Sequence, residues 1–232
     1  MQDTAKYFDA ESAAWSARYD ASPHFRTRLE TTLGWIAAHP GPLDLLDYGC
    51  GSGVLLRALA PLGHRLTGVD VSEGMLAAAR ETLSGVPGDV RLEQVDAPHA
   101  EYAARTYDGV TCLGVVEYVD DAEAFLARVA GLVKPGGFLI VSYPNRASLL
   151  RKFERAVFRH ARLFRALGLF GHLTGPDSYL HVQRHQFTLA GMSSRLAAHG
   201  LRLYQHKHHV APGPLQSLAL LGMTTIAEFR KA

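Results

Sequence analysis

Between about residues 43 and 143 the chain alternates two hydrophobic patterns. The short runs "LDLLDYG", "HRLTGVD", "DVRLEQVD", "YDGVTCLG" and "GGFLIVSYP" are rich in Val, Leu, Ile and Tyr and predict strands. The segments "GVLLRALAPLG", "SEGMLAAARETL" and "DAEAFLARVAGLV" place apolar residues at helical spacing. Strands that are apolar almost throughout suit a mostly parallel sheet covered by helices on both faces. The expected architecture is therefore a doubly wound α/β fold, whose right-handed crossovers leave a ligand crevice at the carboxyl ends of the strands.

Turn and cap residues support this segmentation. Ser72 is placed as an N-cap with Glu73 in the first turn after it, and Gly63 and Gly131 fall where the preceding helices should stop. "KPGG", residues 134–137, predicts a turn before the fifth strand. After Pro144 the alternation breaks into a basic, helix-like insertion over 145–187. A helix ("TLAGMSSRLAAHG") and two strands ("LRLYQHKHHV" and one near "MTTIAEFRK") follow it. Residues before 40 read as helices outside the sheet. The expected organisation is one domain over 1–232, with a core at 43–144, an insertion at 145–187 and a closing helix and strands at 188–232.

Composition narrows the setting. Hydrophobic residues make up 47% and charged residues 20%, an ordinary globular balance. A net charge of +2 demands neither nucleic acid nor membrane overall, although local clusters still count. Cys50 and Cys112 lie in apolar surroundings without CxxC spacing, which argues against a disulfide framework or zinc site and suits a reducing, cytoplasmic setting. The first residues are acidic where a secretory signal would be apolar. "LQSLALLGM" is far shorter than the roughly 20 residues of a spanning helix.

Candidate chemistry begins at "LLDYGCGSGVLL". Gly49, Gly51 and Gly53 follow a strand and precede a helix, so a ligand can lie on bare backbone beside N–H donors. A tight strand-to-helix turn alone would also use glycines. Asp70 ends the next strand about 20 residues on, where a carboxylate accepts from ribose hydroxyls. A dinucleotide fingerprint would place a third small residue at Val54. The Gly-x-Gly-x-Gly spacing, preceded by Asp47 as a partner for an ammonium group, suits S-adenosylmethionine better.

The motifs "LLDYGCGSG", "GVDVSEGML", "QVDAP", "YDGVTCLGVVEYVDD" and "LVKPGGFLIVSYPN" resemble, in order, those of class I S-adenosylmethionine-dependent methyltransferases over about 43–145. The resemblance implies a seven-stranded Rossmann-like methyltransferase fold and a product of S-adenosylhomocysteine. It also implies that Asp47, Gly49, Cys50, Gly51 and Gly53 hold the methionine part and Asp70 the ribose. By the same resemblance Val71 flanks adenine, Asp96 and Ala97 reach its amino edge, and Leu113 and Gly114 line the methionine side. "GVVEYVDDAEAFLARVAGLVKPGG" is similar to small-molecule O-methyltransferases of the ubiquinone-biosynthesis and magnesium-protoporphyrin types. Glu117 is followed here by Tyr118 where many relatives carry His, so no imidazole role carries over. "YFDAESAAWSARYD" looks like their N-terminal lid helix. Its residues Tyr7, Phe8, Trp15 and Tyr19 either close over the ligands or pack as a core stripe.

A sulfonium methyl is already electrophilic, so the enzyme aligns the acceptor, excludes water and removes a proton where the acceptor needs it. Candidate bases are His181 and His185, four apart and on one face if helical, and Tyr143 at the end of the fifth strand. Tyr118, His172 and Tyr179 are candidate pocket residues, with structural roles the alternative for each histidine. In "HKHH", His206 and His208 share one strand face without a nearby carboxylate, so no metal is expected. Leu150, Phe153, Val157, Ala161, Phe164 and Leu167 form a helical stripe amid arginines. That helix either caps the active site or contacts an anionic membrane surface or acidic carrier protein. The expected activity is methyl transfer to an oxygen of a small metabolite that is aromatic, lipid-like or carrier-borne. Small-molecule N-methylation and a catalytically inactive cofactor-binding accessory protein are the alternatives. No Asn/Asp-Pro-Pro-aromatic motif follows the fourth strand, so no nucleic-acid substrate is expected.

Overall fold

A computed structural model describes residues 2–175, 178–209 and 221–232. Helices α1 (Gln2–Trp15), α2 (Ala17–Ala21) and α3 (Pro23–Ala37) precede the sheet. The alternating core follows as β1 (Asp44–Tyr48), α4 (Val54–Leu59), β2 (Arg65–Asp70), α5 (Glu73–Thr82), β3 (Asp89–Gln94), β4 (Tyr107–Leu113), α6 (Ala122–Gly131) and β5 (Val133–Pro144). Then come α7 (Leu149–Arg159), α8 (Ala161–Ala166), α9 (Gly171–Thr174), α10 (Leu189–Ala197), β6 (Leu201–His209) and β7 (Thr224–Lys231).

The seven-stranded sheet has the order β3-β2-β1-β4-β5-β7-β6. Strands β1 to β5 pair in parallel, and β7 runs antiparallel between β5 and β6. Because β1 pairs with β2 on one side and β4 on the other, the order of strand addition reverses between β1 and β4, where such sheets open a crevice. Period-two alternation supplies two cores. Leu45 joins Ile36, Leu55 and Leu56 on one face, while its neighbour Leu46 joins Val110, Leu126 and Val129 on the other. In β7 likewise, Ile226 belongs to the first core and Ala227 to the second.

Local signals hold with three differences. Ser72 caps α5, its Oγ accepting from Met75 N at 3.0 Å, and Gly63 takes φ +79 after its helix. Helix α6 instead runs through Gly131 and stops at Leu132. The "KPGG" turn lies inside β5 as an irregularity, since the β4–β5 register jumps from Tyr107↔Val133 to Gly109↔Phe138. The single helical stripe over 150–167 is broken at His160, whose φ −104, ψ +30 ends α7 and starts α8. That break lets Val157 bury with Leu173 and Leu180 while Phe153 and Leu167 remain exposed.

Gly109 shows how tightly the central strands meet. A Cβ there would lie 2.3 Å from Phe138 Cζ and 2.8 Å from Leu45 Cδ2. Gly109→Ala is expected to destabilise by about 1–3 kcal/mol as an overpacked core. An unchanged urea midpoint would contradict that.

Candidate active site

The loop after β1 folds back on β2. Gly49 N and Cys50 N both donate to Val69 O, at 2.7 and 3.0 Å, and Gly51 N donates to Asp70 Oδ2 at 2.9 Å. Gly49 sits at φ +78, and a Cβ there would lie 2.2 Å from Val115 Cγ2 in the segment after β4, so only glycine lets the two segments pass. Gly53, at φ +76, instead permits α4 to approach α5, since its Cβ would meet Ala79 Cβ at 3.1 Å.

This loop floors a cavity of about 270 Å³ at the carboxyl ends of β1, β2 and β4. Gly49, Cys50 and Gly51 line it from β1, Asp70 and Val71 from β2, and Leu113 and Gly114 from β4. Phe8 and Trp15 of α1, Tyr19 of α2, Arg28 of α3 and Tyr118 also line the cavity. Phe8 meets Trp15 and Tyr118 edge to face with centroids 5.4 and 5.3 Å apart. Helix α1 is fastened by Asp9 Oδ1, which accepts from Ser72 Oγ at 2.5 Å and Gly74 N at 3.0 Å. An aromatic wall over a glycine floor excludes water, and the loop's N–H groups at Gly49, Cys50, Gly51 and Gly53 are engaged by Val69, Asp70 and Cys50.

A methyltransferase-domain family model matches residues 17–206. The chain belongs to that family. Among curated relatives, a ubiquinone biosynthesis O-methyltransferase of Bordetella pertussis is 34% identical over 154 residues, covering 62% of each chain. One of Cronobacter sakazakii is 35% identical, over 63% of this chain and 61% of its own. The chain thus spans about three fifths of those relatives' length. Among solved structures, magnesium protoporphyrin IX methyltransferase from Synechocystis PCC 6803, with bound S-adenosylhomocysteine, gives a TM-score of 0.71 at 20% identity, covering 100% of this chain and 99% of that one. The N-methyltransferase NodS from Bradyrhizobium japonicum WM9 gives 0.60 at 18% identity over 92% and 90%. At such identities both likenesses bear on the fold.

Other residues singled out in the sequence lie off this cavity. Asp47 is buried behind the loop, where Thr111 Oγ1 donates to its Oδ1 at 2.7 Å. Asp96 and Ala97 line a neighbouring open cleft, and Arg128, paired with Asp96 at 3.2 Å, borders both spaces. Tyr7 does not line the cavity. The side chain of His172 lies outside the described residues. Tyr179 donates to Glu154 Oε2 at 3.1 Å and accepts from Arg151 Nη1 at 2.6 Å, away from the cavity.

The proposed bases are also displaced from it. His181 and His185 share no helical face, because the single turn there covers only Tyr179–His181. His181 donates to Gly175 O at 3.1 Å and is exposed. His185 Nε2 donates to Val119 O at 2.9 Å, one residue behind the cavity wall. Tyr143 is fully buried with its hydroxyl unpartnered, and burial pushes that hydroxyl well above the usual phenol range.

Two charged residues missed in the sequence matter more. Arg28 is 7% exposed and donates through Nη2 to Tyr19 OH at 3.4 Å, while its Nε is buried without a partner. Glu117 is buried with Oε2 unpartnered, and burial pushes its carboxyl up to about 7 against the pull of Arg28 and Arg151. Both border Gly114, whose Cβ would lie 2.9 Å from Arg28 Nη1 and 3.6 Å from Glu117 Oε1. An arginine amid other helical arginines carries no sequence signal of burial.

Burial also pushes Asp47 up to about 6, against the Thr111 bond and with Asp70 adding to the rise. A carboxyl raised on folding contributes stability below about pH 4 that is lost as pH rises through about 6, a loss of up to about 3 kcal/mol. Asp47→Asn removes this titration and keeps an acceptor for Thr111. Its ligand-free melting temperature at pH 7.5 should exceed that of the wild type, with the gap closing toward pH 4. Parallel pH profiles would refute the assignment.

Proposed function

We propose that this chain transfers a methyl group from S-adenosylmethionine to an oxygen of a small molecule. The carrying observation is Arg28: a buried guanidinium with an orphaned Nε–H, lining the same cavity as Asp70 and the glycine loop. A ligand with a carboxylate at one end and ribose hydroxyls at the other suits those groups. The floor of Gly49, Cys50 and Gly51 between these two groups suits the same ligand. When bound, S-adenosylmethionine supplies an electrophilic methyl group on a sulfonium sulfur. The O-methyltransferase relatives support oxygen as the acceptor atom.

The residues divide the work. Arg28 holds the carboxylate, and Asp70, kept in place by Gly51 N and Ser72 N, accepts from the hydroxyls. Asp47 and Asp70 make the floor negative, which favours a cationic ligand. Cys50, Leu113, Gly114 and Val71 supply contact area around it. Phe8, Trp15, Tyr19 and Tyr118 shut out water and give the acceptor an apolar face. Glu117 does not itself line the cavity but stands directly behind Gly114, which does; with one free oxygen and a carboxyl pushed up to about 7, it is the group we assign to take the acceptor's proton. His185 and His181 are structural in this reading.

Arg28→Ala should weaken S-adenosylmethionine binding by about two orders of magnitude in calorimetry. Wild-type affinity would remove Arg28 from the site. Incubation with methyl-deuterated cofactor and a metabolite extract should yield a trideuteromethyl ether or ester by mass spectrometry. A labelled amine would establish N-transfer, and cofactor binding without any labelled product would favour an accessory role. Once an acceptor is known, kcat should rise with pH through about 7 as Glu117 ionises. Glu117→Gln should remove that limb, while His181→Ala and His185→Ala should keep it. Retention of the limb in Glu117→Gln would assign the base elsewhere.

A further inference from the structure

Among the described residues, exposed apolar side chains concentrate in one place. Of the nine large apolar side chains exposed among the described residues, six lie between 149 and 170: Leu149, Phe153, Leu163, Leu167, Leu169 and Phe170, at 36% to 60% exposure. They do not belong to an unfinished core, because the inner side of the same segment is occupied. There Val157 packs with Leu173 and Leu180, and Phe158, Phe164 and Tyr179 lie against them.

The outer residues are linked. Phe170 meets Phe153 of α7 and Phe164 of α8 edge to face, each at 5.6 Å between centroids. Leu149 and Phe153 are one turn apart on α7, as are Leu163 and the residue capping α8, Leu167. Phe170 sits at φ +53, a costly conformation for a bulky residue, with its ring held against these two phenylalanines.

Charge sets this face apart as strongly as hydrophobicity. Residues 146–172 carry seven Arg and Lys against Glu154 alone, and Glu154 is engaged by the buried Arg151 at 2.9 Å. Lys152, Arg155, Arg159, Arg162 and Arg165 are exposed among the apolar side chains. Elsewhere the chain holds 17 basic and 21 acidic residues. The positive charge is therefore concentrated on this segment of a chain that is otherwise net acidic, a distribution that orients it toward an anionic surface.

We propose that the α7–α8 face docks on an anionic lipid bilayer, with its leucines and phenylalanines in the interfacial region and its arginines on lipid phosphates. A fluid interface accepts dispersed apolar side chains singly, whereas a folded acidic protein would need a matching recess for each. Among the described residues no helix is long and apolar enough to cross a membrane, so the contact is interfacial. The inference stands apart from methyl transfer, since it needs neither cofactor nor acceptor.

The test is flotation of the full chain with phosphatidylcholine vesicles, with and without phosphatidylglycerol, at low and physiological salt. Binding should require phosphatidylglycerol and weaken as salt rises. It should fall at least tenfold in Phe153→Ser/Leu167→Ser and in Arg155→Glu/Arg159→Glu, while circular dichroism stays unchanged. Hydrogen exchange on the wild type, which needs no variant, should show vesicle protection across α7 and α8. Four results would each overturn the proposal: no binding to phosphatidylglycerol vesicles at low salt, wild-type binding by both variants, protection confined to other elements, or capture by polyglutamate with no vesicle binding. The last would point to an acidic protein partner.

Discussion

The passage from β1 to α4 is the constraint on which the site depends. Within a few residues the chain must leave the sheet, turn back on β2 and clear the segment that follows β4. Two N–H groups bonded to the Val69 carbonyl bend it, and Val115 occupies the space a side chain at Gly49 would need. The same turn aims Gly51 N at Asp70, so loop and carboxylate position each other. Floor, Asp70 wall and Leu113–Gly114 wall are thus one mechanical unit. A displaced Gly49 would shift Val115 and the Gly114–Tyr118 wall with it.

Building the site this way places ionisable groups out of water. Asp47, Asp70 and Glu117 are all raised by burial; Arg28 opposes the rise at Asp47 and, together with Arg151, at Glu117. Such an arrangement costs folding stability and is commonly retained where the groups act on a ligand. Its benefit is preorganisation, because dipoles and charges fixed during folding need not reorient when a ligand arrives. Asp9 extends the same economy to the cover, fastening α1 across the cavity by capping bonds at the start of α5.

The two sides of the cavity have different structural origins. The glycine floor comes from the alternating core, where β1, β2, β4 and β5 carry buried residues on both faces while the edge strand β3 is only partly covered. Helices α1 to α3 close the cavity from outside that alternation, and the 145–187 segment lies behind the wall they form with Tyr118. Side chains on these peripheral elements can vary without disturbing the sheet, as substrate-determining segments on a shared fold commonly do.

How far the sequence speaks follows from how local each determinant is. The β1–β5 alternation, the Ser72 cap, the glycine loop and Asp70 were legible because each rests on periodicity, a capping residue or a spacing of a few residues. The aromatic cover was legible in Trp15 and Tyr19 but not in the orientation of Tyr7, which depends on how α1 seats on α5. His181 and His185 shared a face only on the premise of a helix that their backbone does not form. Asp96 and Ala97 face the next cleft because Arg128, 32 residues later, stands between. The stripe over 150–167 had helical spacing, yet the turn at His160 decided which of its residues are covered. Arg28 and Glu117 look in sequence like ordinary surface charges. Burial is a sum over residues distant along the chain, so only the tertiary structure could turn one into an anion-seeking guanidinium and the other into a carboxyl poised near neutrality.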